Sequence, residues 1–213
     1  MLLTFPPLNF PPGKEMTKML LNDRNFYKSY EIIGGEKIMS PAANIKHGSI
    51  VVGLITTIGV YVKNKKLGYV FPDSMDLHLP DGSLFKPDFM FISKDSGTIT
   101  PKNISGTVYG VPEMVAEVLS KSTWRNDVTI KKSVYEKNGV KEYWIIDPWK
   151  NSISVYLLRD EKFELDDEYI YYDEVEWREL SDEEKAVAKS EIKLSIFEDL
   201  TVKLEDIFGW ENF

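Results

Sequence analysis

"VPEMVAEVLSKSTWRND", residues 111–127, holds an apolar run, Met114-Val115-Ala116 and then Val118-Leu119, broken by one carboxylate, Glu117. Apolar character this continuous over so short a stretch suits a strand covered on both faces. A carboxylate inside such a strand costs several kcal/mol unless it is paired or bound to metal. Either a partner neutralises Glu117, or the strand is not buried. The hydroxyls Ser120, Ser122 and Thr123 and the amide Asn126 follow, and Asp127 precedes a helical pattern.

Working outward, "VTIKKSVYEKNG" (128–139) predicts a helix opened by Asp127 as N-cap and stopped by Gly139. "VKEYWIIDP" (140–148) predicts a further core strand closed by Pro148, and "SISVYLL" (152–158) an alternating edge strand. Upstream, "LGYVFPDSMDLHLPDG" (67–82) reads as a strand followed by a turn, and "LFKPDFMFIS" (84–93) as a second strand. In "NIKHGSIVVGLITTIGVYVKN" (44–64), Val51, Leu54, Ile55, Ile58 and Tyr61 recur at helical spacing. Asn44 can cap that helix, and His47 shares a face with Val51. Its β-branched content argues for a strand, but the length is too great for one. "SYEIIGGEKIMS" (29–40) predicts a hairpin turning at Gly34-Gly35. A Pro-rich leader over 5–12 and a short helix near 16–22 come first. From residue 44 the order is helix, three strands, helix, strand.

At 213 residues, 43% hydrophobic and 13% aromatic, the chain has ample material for a core and suits one domain over 1–213. No apolar run approaches the roughly 20 residues that span a bilayer, so no membrane partner is expected. The N-terminus lacks the basic region and small-residue cleavage site of a signal peptide. With no cysteine, there is no disulfide, thiol nucleophile or zinc–thiolate site. A cytoplasmic location is expected. The net charge of −8 is unevenly spread: residues 151–213 carry 7 Lys and Arg against 19 Asp and Glu, a net of −12, which leaves +4 for residues 1–150. Any footprint for phosphates therefore lies in the first two-thirds. The acidic run 160–185 reads as a solvated surface.

Two carboxylates fall on adjacent predicted strands: Asp88, just after Pro87, and Glu117, 29 residues on. Side by side and uncompensated they would repel, and one would keep its proton. Mg²⁺ between them would let both ionise, since that ion takes one or two carboxylates with waters and phosphate oxygens. Such a metal polarises phosphorus and helps form hydroxide from water. Lys131 lies in the first turns of the next helix, where the dipole favours anions, and shares a face with Tyr135. Lys132 is the alternative.

Helix, three strands, helix and strand, with "PD" on the second strand and a glutamate on the third, resembles the core of the PD-(D/E)XK nuclease superfamily. More narrowly, "YEIIGGEKIMSP", "KHGSIVVGL", "LPDGSLFKPDFMFI", "VPEMVAEVLSKSTWRND" and "KKSVYEKNGVKEYWIIDP" resemble, in order, the restriction-endonuclease-like family known as Uma-two. The resemblance covers about residues 28–158, with an echo at "LTVKLEDIF" (200–208). It implies an α/β (α+β) restriction-endonuclease-like core, a mixed sheet flanked by helices in αβββαβ order, with an N-terminal hairpin and extra C-terminal strands. The leader would occupy 1–27, the core 28–158 and an acidic extension 159–213. It further implies a Mg²⁺-dependent (or Mn²⁺-dependent) endonuclease acting on DNA, and admits a homodimer, because cutting a duplex takes two sites or two visits. Asp88 and Glu117 would be metal ligands, the Val118 carbonyl would complete the shell, and His47 would touch the phosphate or the attacking water. The superfamily's lysine normally stands two residues after the glutamate. Leu119 is there instead, and Lys131 takes the matching place for this family.

That displaced lysine and the acidic final third keep a second reading open, a binding or regulatory module that retains the nuclease fold without catalysis. Elsewhere, Ser120, Ser122 and Thr123 suit caps and turns, and Asp147 suits the turn before Pro148. The stretch "KNKK" (63–66) and Arg125 could follow a phosphate backbone, and His78 has no evident partner. No serine–histidine–aspartate set with familiar spacing or phosphate-cradling glycine loop is present, and two histidines are too few for a usual zinc site.

Overall fold

The computed structural model describes residues 30–33, 36–39, 44–97, 107–121 and 124–211. The leader and the expected helix near 16–22 lie outside them. A hairpin comes first: β1 (Tyr30–Ile33) and β2 (Glu36–Met39) pair antiparallel with Ile33 opposite Glu36. Helix α1 (Ile45–Lys65) follows, its first turn capped by Asn44, whose side chain accepts from the His47 N–H at 2.9 Å. Next are β3 (Gly68–Pro72), β4 (Asp76–His78), β5 (Leu84–Phe85), β6 (Phe89–Ser93), β7 (Thr107–Tyr109) and β8 (Met114–Val118). Helix α2 (124–138) leads to β9 (Glu142–Asp147), β10 (Ser152–Arg159) and β11 (Lys162–Ile170). Short helices α3 (Glu174–Glu179) and α4 (Asp182–Val187), strands β12 (Glu191–Lys193) and β13 (Thr201–Lys203), and helix α5 (Leu204–Phe208) complete the described chain.

The central sheet has the order β11-β10-β9-β8-β6-β3, with only β8 and β9 parallel. Strand β8 is interior, and all five of its residues are buried. Met114, Ala116 and Val118 face a core built with Ile50, Leu54 and Ile58 of α1 and Ile207 of α5. Val115 and Glu117 point the other way. There Tyr135 of α2, Tyr143 of β9, and Leu77 and Phe85 form a second core under a smaller sheet ordered β2-β1-β5-β4-β7. Coverage on both faces is why β8 reads as nearly unbroken apolar sequence. Gly53 lets α1 and α5 meet, because a Cβ there would lie 2.7 Å from the Asp206 carbonyl oxygen.

In the central sheet the expected sequence of elements is present as α1, β3, β6, β8, α2, β9. Several local expectations need correction. "LFKPDFMFIS" is two strands in two sheets, broken at Pro87, which has no N–H to donate. Asp88 therefore stands between Pro87 and β6, one residue before the strand, and not in the middle of one. "SISVYLL" is no edge, since β11 pairs along its length and takes the edge itself. Alternation within the acidic run, with Phe163 and Tyr169 buried, accounts for β11. Helix α2 begins at Trp124, so Asp127 is not its cap. Helix α1 is also long and apolar enough to span a bilayer by length and composition, contrary to the expectation from its sequence. Ile50, Leu54, Ile58 and Val62 along one side of it are buried against the sheet.

Candidate active site

The antiparallel pairing of β6 with β8 ends at Phe89 opposite Ala116, and Asp88, one residue before β6, lies beside the Glu117–Val118 end of β8. Asp88 Oδ2 accepts the Val118 N–H at 2.7 Å, which fixes the carboxylate against β8. Its Oδ1 lies 3.1 Å from His47 Nε2, so the start of α1 reaches the same point from the other side of the sheet. Asp88, Glu117, Val118 and His47 are thus brought together where β6 begins and β8 ends.

Lys131 reaches the same place from α2. Residues Asp127–Lys131 form a π-helical turn, a widened turn that carries one surplus residue and often marks functional sites. Lys131 Nζ lies 2.9 Å from Glu31 Oε1, 3.2 Å from Glu117 Oε1 and 3.2 Å from Asp127 Oδ1. The Tyr135 hydroxyl donates to Glu117 Oε1 at 2.8 Å. Glu31 also accepts the Lys86 N–H at 2.9 Å, which ties the hairpin to the segment entering β6. Lys132 points elsewhere, its Nζ 3.5 Å from the centre of the Tyr156 ring. Of the two candidate lysines, Lys131 is the one at the glutamate. Leu119, in the superfamily's usual lysine position, is packed into the second core.

Three carboxylates share one ammonium here, and the electrostatics follow. Burial works against the charge on Lys131, but Glu117, Asp127 and Glu31 outweigh it and hold its pKa well above the ordinary lysine value. Burial drives Glu117 well above the usual carboxylate range; Lys131 opposes that rise, and Asp127, Asp88 and Glu31 add to it. Asp127 is raised for the same reasons, burial first. Burial lowers His47, yet its hydrogen bond and charge interaction with Asp88, aided by Asp73 and Asp127, leave it above its ordinary value. The cluster carries more negative charge than Lys131 and His47 compensate, so its residues fit a bound cation. On the solvent side, donor atoms of His47, Asp73 and Asp88 lie within 4.8 Å of one another and could hold a metal ion.

Glu31 and Asp73 were not foreseen. Glu31 sits in an ordinary hairpin strand, and Asp73 follows Pro72 as many turn residues do. Asp127 is no cap but a buried partner of Lys131. Asp147 does fix its turn, with Oδ1 accepting from the Trp149 and Lys150 N–H groups. His78 stacks on Tyr109 with ring centres 4.6 Å apart, and Arg125 lies over Trp124. Within "KNKK", Lys65 pairs with Asp199. Ser122 and Thr123 lie outside the described residues.

A crystal structure of a putative nuclease belonging to DUF820 from Anabaena variabilis shares this fold, with a TM-score of 0.65. It is 20% identical, and the alignment covers 86% of this chain and 91% of that one. No curated protein matches the chain. Residues 17–183 match the family described as "Putative restriction endonuclease". The chain belongs to that family, Uma-two.

Proposed function

We propose that the chain is a divalent-metal-dependent endonuclease that hydrolyses phosphodiester bonds in DNA. The observation that carries this reading is the Asp88 carboxylate held on the Val118 N–H, the residue next to Glu117, with Lys131 Nζ 3.2 Å from Glu117 Oε1. Asp88, Glu117 and the Val118 carbonyl would hold Mg²⁺ or Mn²⁺. When bound, the ion would polarise the phosphodiester and make water a better nucleophile. Water oxygen would bond to phosphorus and the bond to the leaving sugar oxygen would break, while one proton of the water would pass to solvent and the leaving oxygen would take one up from solvent. Lys131, kept charged by its carboxylates, suits orienting that water and stabilising negative charge on the phosphate oxygens, not taking a proton. His47, beside Asp88, would contact the phosphate or the water, directly or from the metal.

A module that keeps the nuclease fold without catalysis is the rival reading, drawn from Leu119 and the acidic final third; the Lys131 ammonium at Glu117 supports the nuclease. The test is cleavage of plasmid and single-stranded DNA with Mg²⁺ or Mn²⁺. Wild type should cut, while Asp88→Ala and Glu117→Ala should not, with circular dichroism unchanged. Cleavage surviving either substitution would overturn the assignment.

A further inference from the structure

The geometry points to a metal site of mixed nitrogen and oxygen donors at His47, Asp73 and Asp88, suited to a first-row transition ion such as Mn²⁺ in preference to Mg²⁺. It shares Asp88 with the nuclease reading and rests on it to that extent. The three donors come from separate places in the chain, the start of α1, the turn after β3 and the residue before β6, yet their ligand atoms converge within 4.8 Å. His47 is held in place because Asn44 accepts its backbone N–H. Asp88 is held by the Val118 N–H on Oδ2, which leaves Oδ1 facing the imidazole at 3.1 Å. This contact is a hydrogen bond, and its length is also that of neighbouring ligands around an octahedral ion with bonds of about 2.1–2.2 Å. Asp73 makes no hydrogen bond or ion pair among the described residues, although it brings a second carboxylate to the pair. Asp73 is exposed, and the side chains of His47 and Asp88 keep 12% and 14% of their surface, so an ion has a way in.

Donor chemistry selects the ion. Mg²⁺ takes oxygen ligands and parts reluctantly with its waters, whereas imidazole suits the first-row transition ions. Glu117 lies deeper, with Oε1 already engaged by Lys131 and Tyr135. Asp73, on an exposed turn, is therefore a ligand, and His47 is a ligand through Nε2.

The experiment is calorimetric titration of the intact chain with Mn²⁺ and with Mg²⁺, together with spin-echo spectroscopy of the Mn²⁺ form. Wild type should bind Mn²⁺ at least about tenfold more tightly than Mg²⁺ and show modulation from a coordinated imidazole nitrogen. Asp73→Ala and His47→Ala should each weaken Mn²⁺ by about tenfold or more, and His47→Ala should abolish the nitrogen signal. Absent Mn²⁺ binding, no nitrogen signal in wild type, or an unchanged affinity in Asp73→Ala would overturn the site. Asp73 is exposed, so its variant stays informative if His47→Ala fails to fold. Mn²⁺ binding with these signatures but without DNA cleavage would remove the nuclease reading and leave the metal site standing. Cleavage that depends on Asp88 and Glu117 but not on Asp73 would do the reverse.

Discussion

Replacing Lys131 by methionine would strip the shared ammonium from Glu31, Glu117 and Asp127 while keeping most of the side-chain volume. Removing one partner of a buried ionic group typically costs about 3–5 kcal/mol, and that loss is expected in urea unfolding at neutral pH. The loss should depend on pH in a defined direction. Glu117 and Asp127 already titrate above their ordinary values in the fold, and without Lys131 they should titrate higher still. A carboxylate raised in this way contributes its stability fully below its unfolded value, near 4, and loses it as pH rises through the folded value. The deficit of Lys131→Met should therefore be largest near pH 8 and shrink toward about pH 5. Equal deficits at both would mean that packing, not charge, is what Lys131 provides. At this scale the sequence was legible where a residue broke a pattern. Glu117 interrupts an apolar strand, and Asp88 follows a proline. Glu31 breaks nothing in a short hairpin strand, and its role appears only when the second sheet folds over α2.

Strand β9 holds a further buried carboxylate whose task is architectural. Glu142 Oε1 accepts the Trp144 indole N–H at 2.7 Å. Its Oε2 accepts the Ser195 N–H at 2.8 Å, the Ser195 hydroxyl at 2.5 Å and the Ile196 N–H at 3.3 Å. All four partners donate, so a glutamine in this place would aim its own amide hydrogens at one group of them. Glu142→Gln should lose about 2–3 kcal/mol in urea unfolding and speed amide exchange at Ser195 and Ile196. An unchanged midpoint would mean that the loop before β13 holds without this clasp. Element types with a clear period were legible: α1 by its helical spacing and Asn44 cap, β8 and β9 by their apolar runs. Boundaries were less so. Helix α2 starts three residues before Asp127, and its π turn shifts the face that a regular 3.6-residue period would assign.

Across the whole molecule, the acidic final third is woven into the sheet that carries the site. Strand β11 pairs along the length of β10, α5 packs on α1, and Glu142 grips the segment before β13. A chain ending at residue 158 would expose the β10 edge and uncover the side of α1 around Gly53 that α5 covers, so it should be recovered as aggregate or with a broad, non-cooperative melt. A sharp two-state melt from that truncation would show residues 28–158 to be self-sufficient. Composition gave the charge asymmetry correctly, but a charge count says nothing of strand pairing. Phe163 and Tyr169, two buried positions among many acids, are all that marks β11 in the chain.

Leu119 lies two residues beyond Glu117 and so on the same side of the sheet, inside the second core. The ammonium that Glu117 faces therefore has two possible origins, the strand itself or the helix above it, and this chain uses the helix. Leu119→Lys should then behave as a second-site suppressor of Lys131→Leu, recovering part of the stability lost near pH 8 in the double variant. Recovery would mean that the position of the charge is what the fold retains, whichever element delivers it; no recovery would mean that the π turn of α2 is indispensable to its delivery.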